Sequence, residues 1–376
     1  MIFVRRIGLL RRLALLVAST LVATAVIWAV GEMIFRWRFP PSYTADPTLV
    51  VDATLGWDSL PPVSTLEGNT AGRPVVAFLG DSFTHGRLWP GEAQRILSSD
   101  GIAMNGVNLG VSGYGTVQEW LKLQRNTPGI APSAVIVLFF AWNDLRDNYP
   151  YPELFYGPQR TSRPYLLLRG NDVSVSPVRW SAGVVRFLHQ SEFYLRVINR
   201  VETKLNAAIV ERWPDLPSQL EWRAKVYYEH PAGWHPFYDP ALANSAYVRG
   251  AYETTIAAFR AIRDLAKGAP VLVIGIDNAF SVDADIASVF ITPHPELDPS
   301  LPMTRIASLL EAEHIDFINA QPELVALSKA TGRAIYNGPR TGLAGHLEPE
   351  GDRLIGTIAA RWLATALRGR DQRPGR

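Results

Sequence analysis

The sequence predicts an α/β chain: a three-layer sandwich with a central parallel sheet, preceded by a transmembrane helix and interrupted by one insertion. Three observations predict it. Short apolar runs rich in β-branched residues alternate with helical patterns. Residues 13–30 form an uncharged run of 18 near the amino terminus. Residues 149–245, rich in Pro, Tyr, Trp and Arg, break the alternation.

The strands come first. Residues 74–79 (PVVAFL), 107–109, 134–140 (AVIVLFF) and 271–276 (VLVIGI) are too short for helices. Continuous apolar runs of this kind suit strands buried on both faces. A further short strand is read at 316–318. Between them, Tyr252, Ile256, Phe259, Ile262 and Ala266 recur at spacings of three and four. Ile306, Leu309 and Leu310 mark a second helix, and Ile355, Ala359 and Leu363 a last one.

The amino-terminal run is long enough to cross a bilayer with its neighbours, which takes ~20 apolar residues. Arg5, Arg6, Arg11 and Arg12 precede it; Arg36 and Arg38 follow it. The bias favours a cytoplasmic start and an exported body. A cleaved signal peptide is the rival reading, with Ala23-Thr24-Ala25 as its cleavage site, but bulky apolar residues continue through Phe35. An uncleaved anchor is therefore expected over 1–40, ending at Phe39-Pro40-Pro41. The body is then 41–376, with the insertion 149–245 lying over the carboxyl edge of the sheet, where open α/β folds bind ligands.

Composition excludes several classes. Residues 1–40 hold six Arg and one Glu; the rest of the chain is mildly acidic, so no basic stripe for nucleic acid is expected. The chain has no cysteine, which excludes disulfides, thiolate chemistry and Cys-ligated zinc. His230 and His235 stand in an aromatic, proline-rich stretch with no third ligand at metal spacing. No metal and no cofactor is expected.

Four segments carry candidate chemistry. Gly80-Asp81-Ser82-Phe83 follows the first strand, where a serine at a strand-to-helix turn is held exposed above the sheet, near the positive end of the next helix. Asn108-Leu109-Gly110-Val111-Ser112-Gly113 follows the second, and glycine there lets a backbone amide approach a ligand. Trp142-Asn143-Asp144 follows the third; an asparagine amide can donate to a developing oxyanion. His346 stands in Gly345-His346-Leu347-Glu348, before the last helix.

In this order the four segments resemble the signature blocks of the SGNH (GDSL-type) hydrolase family, over roughly residues 55–146 and 250–367. Leu55-Gly56-Trp57 and the stretch 140–144 look like those of its membrane-anchored bacterial members. The resemblance implies a flavodoxin-like SGNH fold and a serine esterase acting on an ester, an O-acyl bond, of a small molecule or glycan. It also implies a single-pass protein of a bacterial inner membrane with the catalytic domain outside the cytoplasm. It assigns Ser82 as nucleophile and His346 as base, with the amides of Ser82 and Gly113 and the side chain of Asn143 as the oxyanion hole. Trp142 is a candidate substrate contact, weighed equally against a core tryptophan.

One position departs from the pattern. The family places an acid three residues before the histidine; here Leu343 stands there. A backbone carbonyl, or a carboxylate such as Asp277 or Asp283, could orient the imidazole instead. Two other functions stay open: an envelope-glycan O-acyltransferase using the same residues, and a silent glycan-binding protein. Asp81 is expected to bond amides of its turn, Asp144 to hold its loop, His85 to be structural, and Ser112 to be a loop residue rather than a second nucleophile.

Overall fold

The computed structural model describes residues 2–38, 49–149, 163–169, 172–176, 191–194, 197, 235–337 and 345–371. Most of the predicted insertion, including His230, lies outside the described residues, as does Leu343. Of the insertion's middle, a two-stranded antiparallel ribbon is described, β7 (Leu166–Arg169) with β8 (Asp172–Val175).

The main sheet holds β3 (Ser64–Thr65), β4 (Val75–Gly80), β5 (Asn105–Asn108), β6 (Ala134–Phe140), β9 (Val271–Ile276) and β10 (Asp316–Asn319). Its order is β10-β9-β6-β4-β5-β3. All pairs are parallel except the short edge pair β3–β5. β6 and β9 match their apolar runs residue for residue, and every residue of both is buried. Such burial follows from helices covering both faces.

The helices form two groups with the sheet between them. α2 (Trp89–Ser99) and α8 (Gln321–Thr331) both pack on α9 (Pro349–Asp371) in one layer. α3 (Thr116–Ile130), α4 (Ala141–Asn148) and α5 (Ala246–Leu265) form the other. Two further helices, α6 (Ala284–Phe290) and α7 (Leu301–Ala312), lie between β9 and β10 in the chain. In α2, Pro90 sits at the start, where its missing amide is harmless, and Ala93 and Leu97 recur at helical spacing and are buried. Phe78 and Trp89 meet edge to face across this interface. Burying each such large side chain contributes about 1.5–3 kcal/mol.

Ahead of the sheet, β1 (Leu49–Asp52) and β2 (Gly56–Ser59) form a hairpin. It is tied to α3 by a buried ion pair between Lys122 and Asp58, and by Arg125 Nη1 to Asp52 at 2.7 Å.

α1 (Ile2–Arg38) is one continuous helix. Its segment Arg11–Arg38 is apolar and long enough to cross a membrane. Near its end the Glu32 carboxylate accepts from the Ser191 hydroxyl (2.8 Å) and from the amides of Glu192 (3.1 Å) and Phe193 (3.0 Å). Trp28 packs against the rings of Phe193 and Tyr194.

Candidate active site

The site grows from the end of β4, a central strand. Gly80 has φ +146, and a Cβ there would lie 2.1 Å from the Thr84 hydroxyl, so glycine is required. The chain then makes a turn rather than entering a helix. The amides of Thr84 and His85 donate to the Asp81 carbonyl, and α2 begins only at Trp89. The expected helix start beside Ser82 is therefore corrected. The nucleophile candidate sits on a single tight turn, seven residues before the helix, and so is not at that helix's positive end.

Three other segments meet this turn. After β5, the Val111 amide donates to the Gly80 carbonyl (3.1 Å), and Asn108 Nδ2 to the Thr84 carbonyl (2.9 Å). After β6, Asn143 Nδ2 donates to Asp81 Oδ2 at 2.8 Å. Before α9, the His346 ring lies against the Phe83 ring, centroids 4.9 Å apart. Each of the four predicted segments thus reaches a residue within two positions of Ser82. Sheet order explains the meeting: β5, β4 and β6 are neighbours, so their carboxyl ends share one edge.

The predicted oxyanion donors stand as follows. Among the described residues, the amides of Ser82 and Gly113 donate to no protein group. Gly113 has φ +78, the left-handed region that favours glycine. Trp57 lies against it and holds the loop through Nε1 to the Ser112 carbonyl at 2.9 Å. Asn143 spends one Nδ2 hydrogen on Asp81 and keeps a second.

Asp81 organises the turn. Its Oδ1 accepts the Phe83 amide (2.8 Å) while Oδ2 takes Asn143. Full burial pushes its carboxyl up to about 6. Asp144 accepts the Phe140 amide at 3.0 Å, which holds the start of α4. Burial, and the nearby Glu119 and Asp81, raise it well above the usual carboxylate range. Ser112 serves through its backbone: its amide donates to His85 Nδ1 (3.2 Å) and its carbonyl accepts Trp57. His85 is thereby a loop brace. Trp142 packs on Phe140, with the Arg146 guanidinium 5.1 Å from its ring. Its buried indole N–H meets no acceptor among the described residues.

His346 is half-buried and its pKa is lowered, first by burial and then by the Arg87 charge. Its backbone pairs with Asn337, amide to Oδ1 at 2.9 Å and carbonyl to amide at 2.8 Å. Among the described residues no hydrogen bond joins its ring to Ser82 or to a carboxylate. The two acids weighed from the sequence have other partners. Asp277 accepts the Tyr238 hydroxyl and the Asn278 amide; Asp283 caps α6 through the Asp285 amide at 2.9 Å. Both of the Asp277 bonds fall on Oδ1, and its buried Oδ2 has no partner among the described residues.

Two features have no sequence signal. Glu119 is fully buried in α3, with both carboxylate oxygens unpartnered, near Asp81 and Asp144. Arg87 and Asp352 meet at 3.1 Å beside His346, although 265 positions apart.

No family model and no curated relative matches the chain. It is similar to solved structures of esterases and lipases. An acetyl xylan esterase is 12% identical, with TM-score 0.39, covering 77% of this chain and 98% of that one. An acetylxylan esterase from Geobacillus stearothermophilus is 11% identical, with TM-score 0.38, covering 78% and 94%. A GDSL-like lipase from Bacteroides thetaiotaomicron is 13% identical, with TM-score 0.35, covering 80% and 93%.

Proposed function

We propose that the chain is a serine esterase of the SGNH type, with Ser82 as nucleophile and His346 as base. The observation that carries this reading is the meeting of three distant segments on the Asp81–Thr84 turn. In the reaction, the imidazole of His346 takes the Ser82 proton as Oγ bonds to the ester carbonyl carbon. The resulting oxyanion accepts from the Ser82 and Gly113 amides and from the second hydrogen of Asn143 Nδ2. The intermediate collapses, the alcohol leaves with the proton from His346, and the acyl group stays on Ser82. Water, its proton taken by His346, then releases the acid. Asp81 holds Asn143 in place for this role.

The substrate class is an O-acyl ester of a small molecule or an envelope glycan. Residues 1–40 would anchor the protein in the inner membrane, with 41–376 outside the cytoplasm and 149–245 as an insertion over the site. That no carboxylate bonds the His346 ring among the described residues favours one second reading, a silent glycan-binding protein.

The test is fluorophosphonate labelling of the full chain in detergent. Labelling that disappears in Ser82→Ala and His346→Ala is the expected result. Asn143→Ala is expected to lose about 10²–10³ in turnover of an activated ester. A folded wild type that takes no label supports the silent reading instead. With a glycan acceptor present, acylated acceptor in place of free acid would make the enzyme a transferase.

A further inference from the structure

We propose that Arg87 is a positioning residue for His346, coupling the nucleophile's turn to the base in a chain that carries Leu343 where the family pattern has an acid. The proposal rests on the esterase reading and extends it. Its geometry is a clamp. Arg87 Nη2 donates to the carbonyl of Leu347, the residue next to the histidine. The same guanidinium donates to Asp352 Oδ1 through Nε (3.3 Å) and Nη2 (3.1 Å). Asp352 is buried in the first turn of α9, and its other oxygen accepts the Leu88 amide at 3.1 Å. Three chain segments are thereby fastened at one guanidinium: 87–88, 347 and 352.

Position in the chain gives the clamp its consequence. Arg87 lies five residues after Ser82, on the same turn-and-connection between β4 and α2. The Asn337 pairing holds the far side of the His346 backbone, and the neighbouring Tyr336 ring reaches Phe83 with centroids 6.2 Å apart. Arg87 adds the polar link that sets the base relative to the nucleophile, beside the ring contacts on Phe83. An Arg fork holds a carbonyl and a carboxylate in one fixed planar geometry, which a lysine ammonium on a flexible stem does not fix.

The clamp also has an electrostatic effect. An acid beside a histidine favours the imidazolium; a guanidinium opposes it. Among the described residues, the charged groups near His346 are Arg87 from the connection after β4, Asp352 and Glu350 from α9, and Glu348 on its own segment. Asp277 lies at the end of β9, behind Tyr336, whose hydroxyl donates to the Asp277 carbonyl. Of these, Arg87 is the one that moves the ring, and it lowers its pKa in the same direction as burial. His346 therefore stays neutral, and able to take a proton, further into acid than it otherwise would.

The experiment measures the rate of fluorophosphonate labelling against pH for the full chain in detergent. Wild type, Arg87→Gln, Arg87→Lys and a Ser82→Ala blank are compared, with folding checked by circular dichroism. Arg87→Gln is expected to slow labelling about 10²-fold, the loss that follows from misplacing a catalytic group by about 1 Å. It should also move the acid limb of the profile to higher pH. Arg87→Lys should keep the limb near its wild-type position while recovering only part of the rate. A folded Arg87→Gln with wild-type rate and limb overturns the proposal. So does a slowed variant whose limb has not moved, since a purely structural brace would behave that way. Should Arg87→Gln not fold, Arg87→Lys decides alone, and labelling at the wild-type rate overturns the clamp. A wild type that takes no label fails the esterase reading itself, a result distinct from all of these.

Discussion

Helix α3 buries two charged residues three positions apart, Glu119 and Lys122, and supplies a counter-charge to only one of them. Lys122 points to the β1–β2 hairpin, where Asp58 pairs with it and the Ser59 hydroxyl lies at 3.1 Å. Arg125 adds a second cation at 3.4 Å from Asp58 and grips Asp52 with both terminal nitrogens. Glu119 instead stands near Asp81 and Asp144, and among the described residues neither of its oxygens finds a donor. The difference teaches where charge is structural. On the hairpin side opposite charges pair and lock two elements together. On the site side, burial and mutual repulsion raise all three carboxyls instead.

The largest effect should come from breaking the compensated side. Lys122→Met leaves Asp58 buried with only Arg125 near one oxygen, and a loss of about 3–5 kcal/mol is expected in urea unfolding at pH 7. A loss below about 1 kcal/mol would show that the pair is not a lock.

The uncompensated side should respond to pH with the opposite sign. A carboxyl whose folded pKa is raised binds its proton more tightly in the folded state, so its contribution is full at low pH and fades as pH rises. For Asp81 that window runs from 3.8, its ordinary value, to about 6. Glu119, raised well above its ordinary value, extends the loss further upward. Glu119→Gln should remove its share, gaining on the order of 1 kcal/mol at pH 8 relative to pH 4. Parallel unfolding midpoints for variant and wild type across that range would refute a retained proton.

Arg125→Gln should matter least. Its pair with Asp52 is over a third exposed on the Arg side, so solvent screening leaves less than about 1 kcal/mol. Arg125, the largest influence on Asp52, holds that carboxyl down to about 2. This contribution is therefore present above 3.8 and lost as pH falls toward about 2. The variant should lose that acid-side dependence, and added salt should shrink the difference at neutral pH.

These contrasts mark where the sequence could be read and where it could not. β6 and β9 were readable to the residue because both faces are apolar. β5 begins two residues before its apolar run because Asn105 and Gly106 are satisfied by distant partners. Asn105 Nδ2 donates to the Thr70 carbonyl (2.6 Å), and the Gly106 amide to Gln94 (2.9 Å). The four site segments were visible because each directly follows a strand or precedes a helix. Glu119 and Lys122 were not, since a Glu and a Lys three apart on a helix ordinarily read as a solvated pair. Arg87 was hidden for a different reason. Its partners are fixed by sheet topology, 260 and 265 positions downstream, and no local spacing announces them.

The bond from Asn143 to Asp81 has a stereochemical corollary. An ionised carboxylate can only accept, so it forces the amide to present its nitrogen and forbids the half-turn that would exchange nitrogen for oxygen. Once Asp81 gains its proton, below about pH 6, it acquires a donor of its own and that prohibition relaxes. Amide orientation at residue 143 would then become a titratable property, visible in the side-chain ¹⁵N resonance as the pH is lowered.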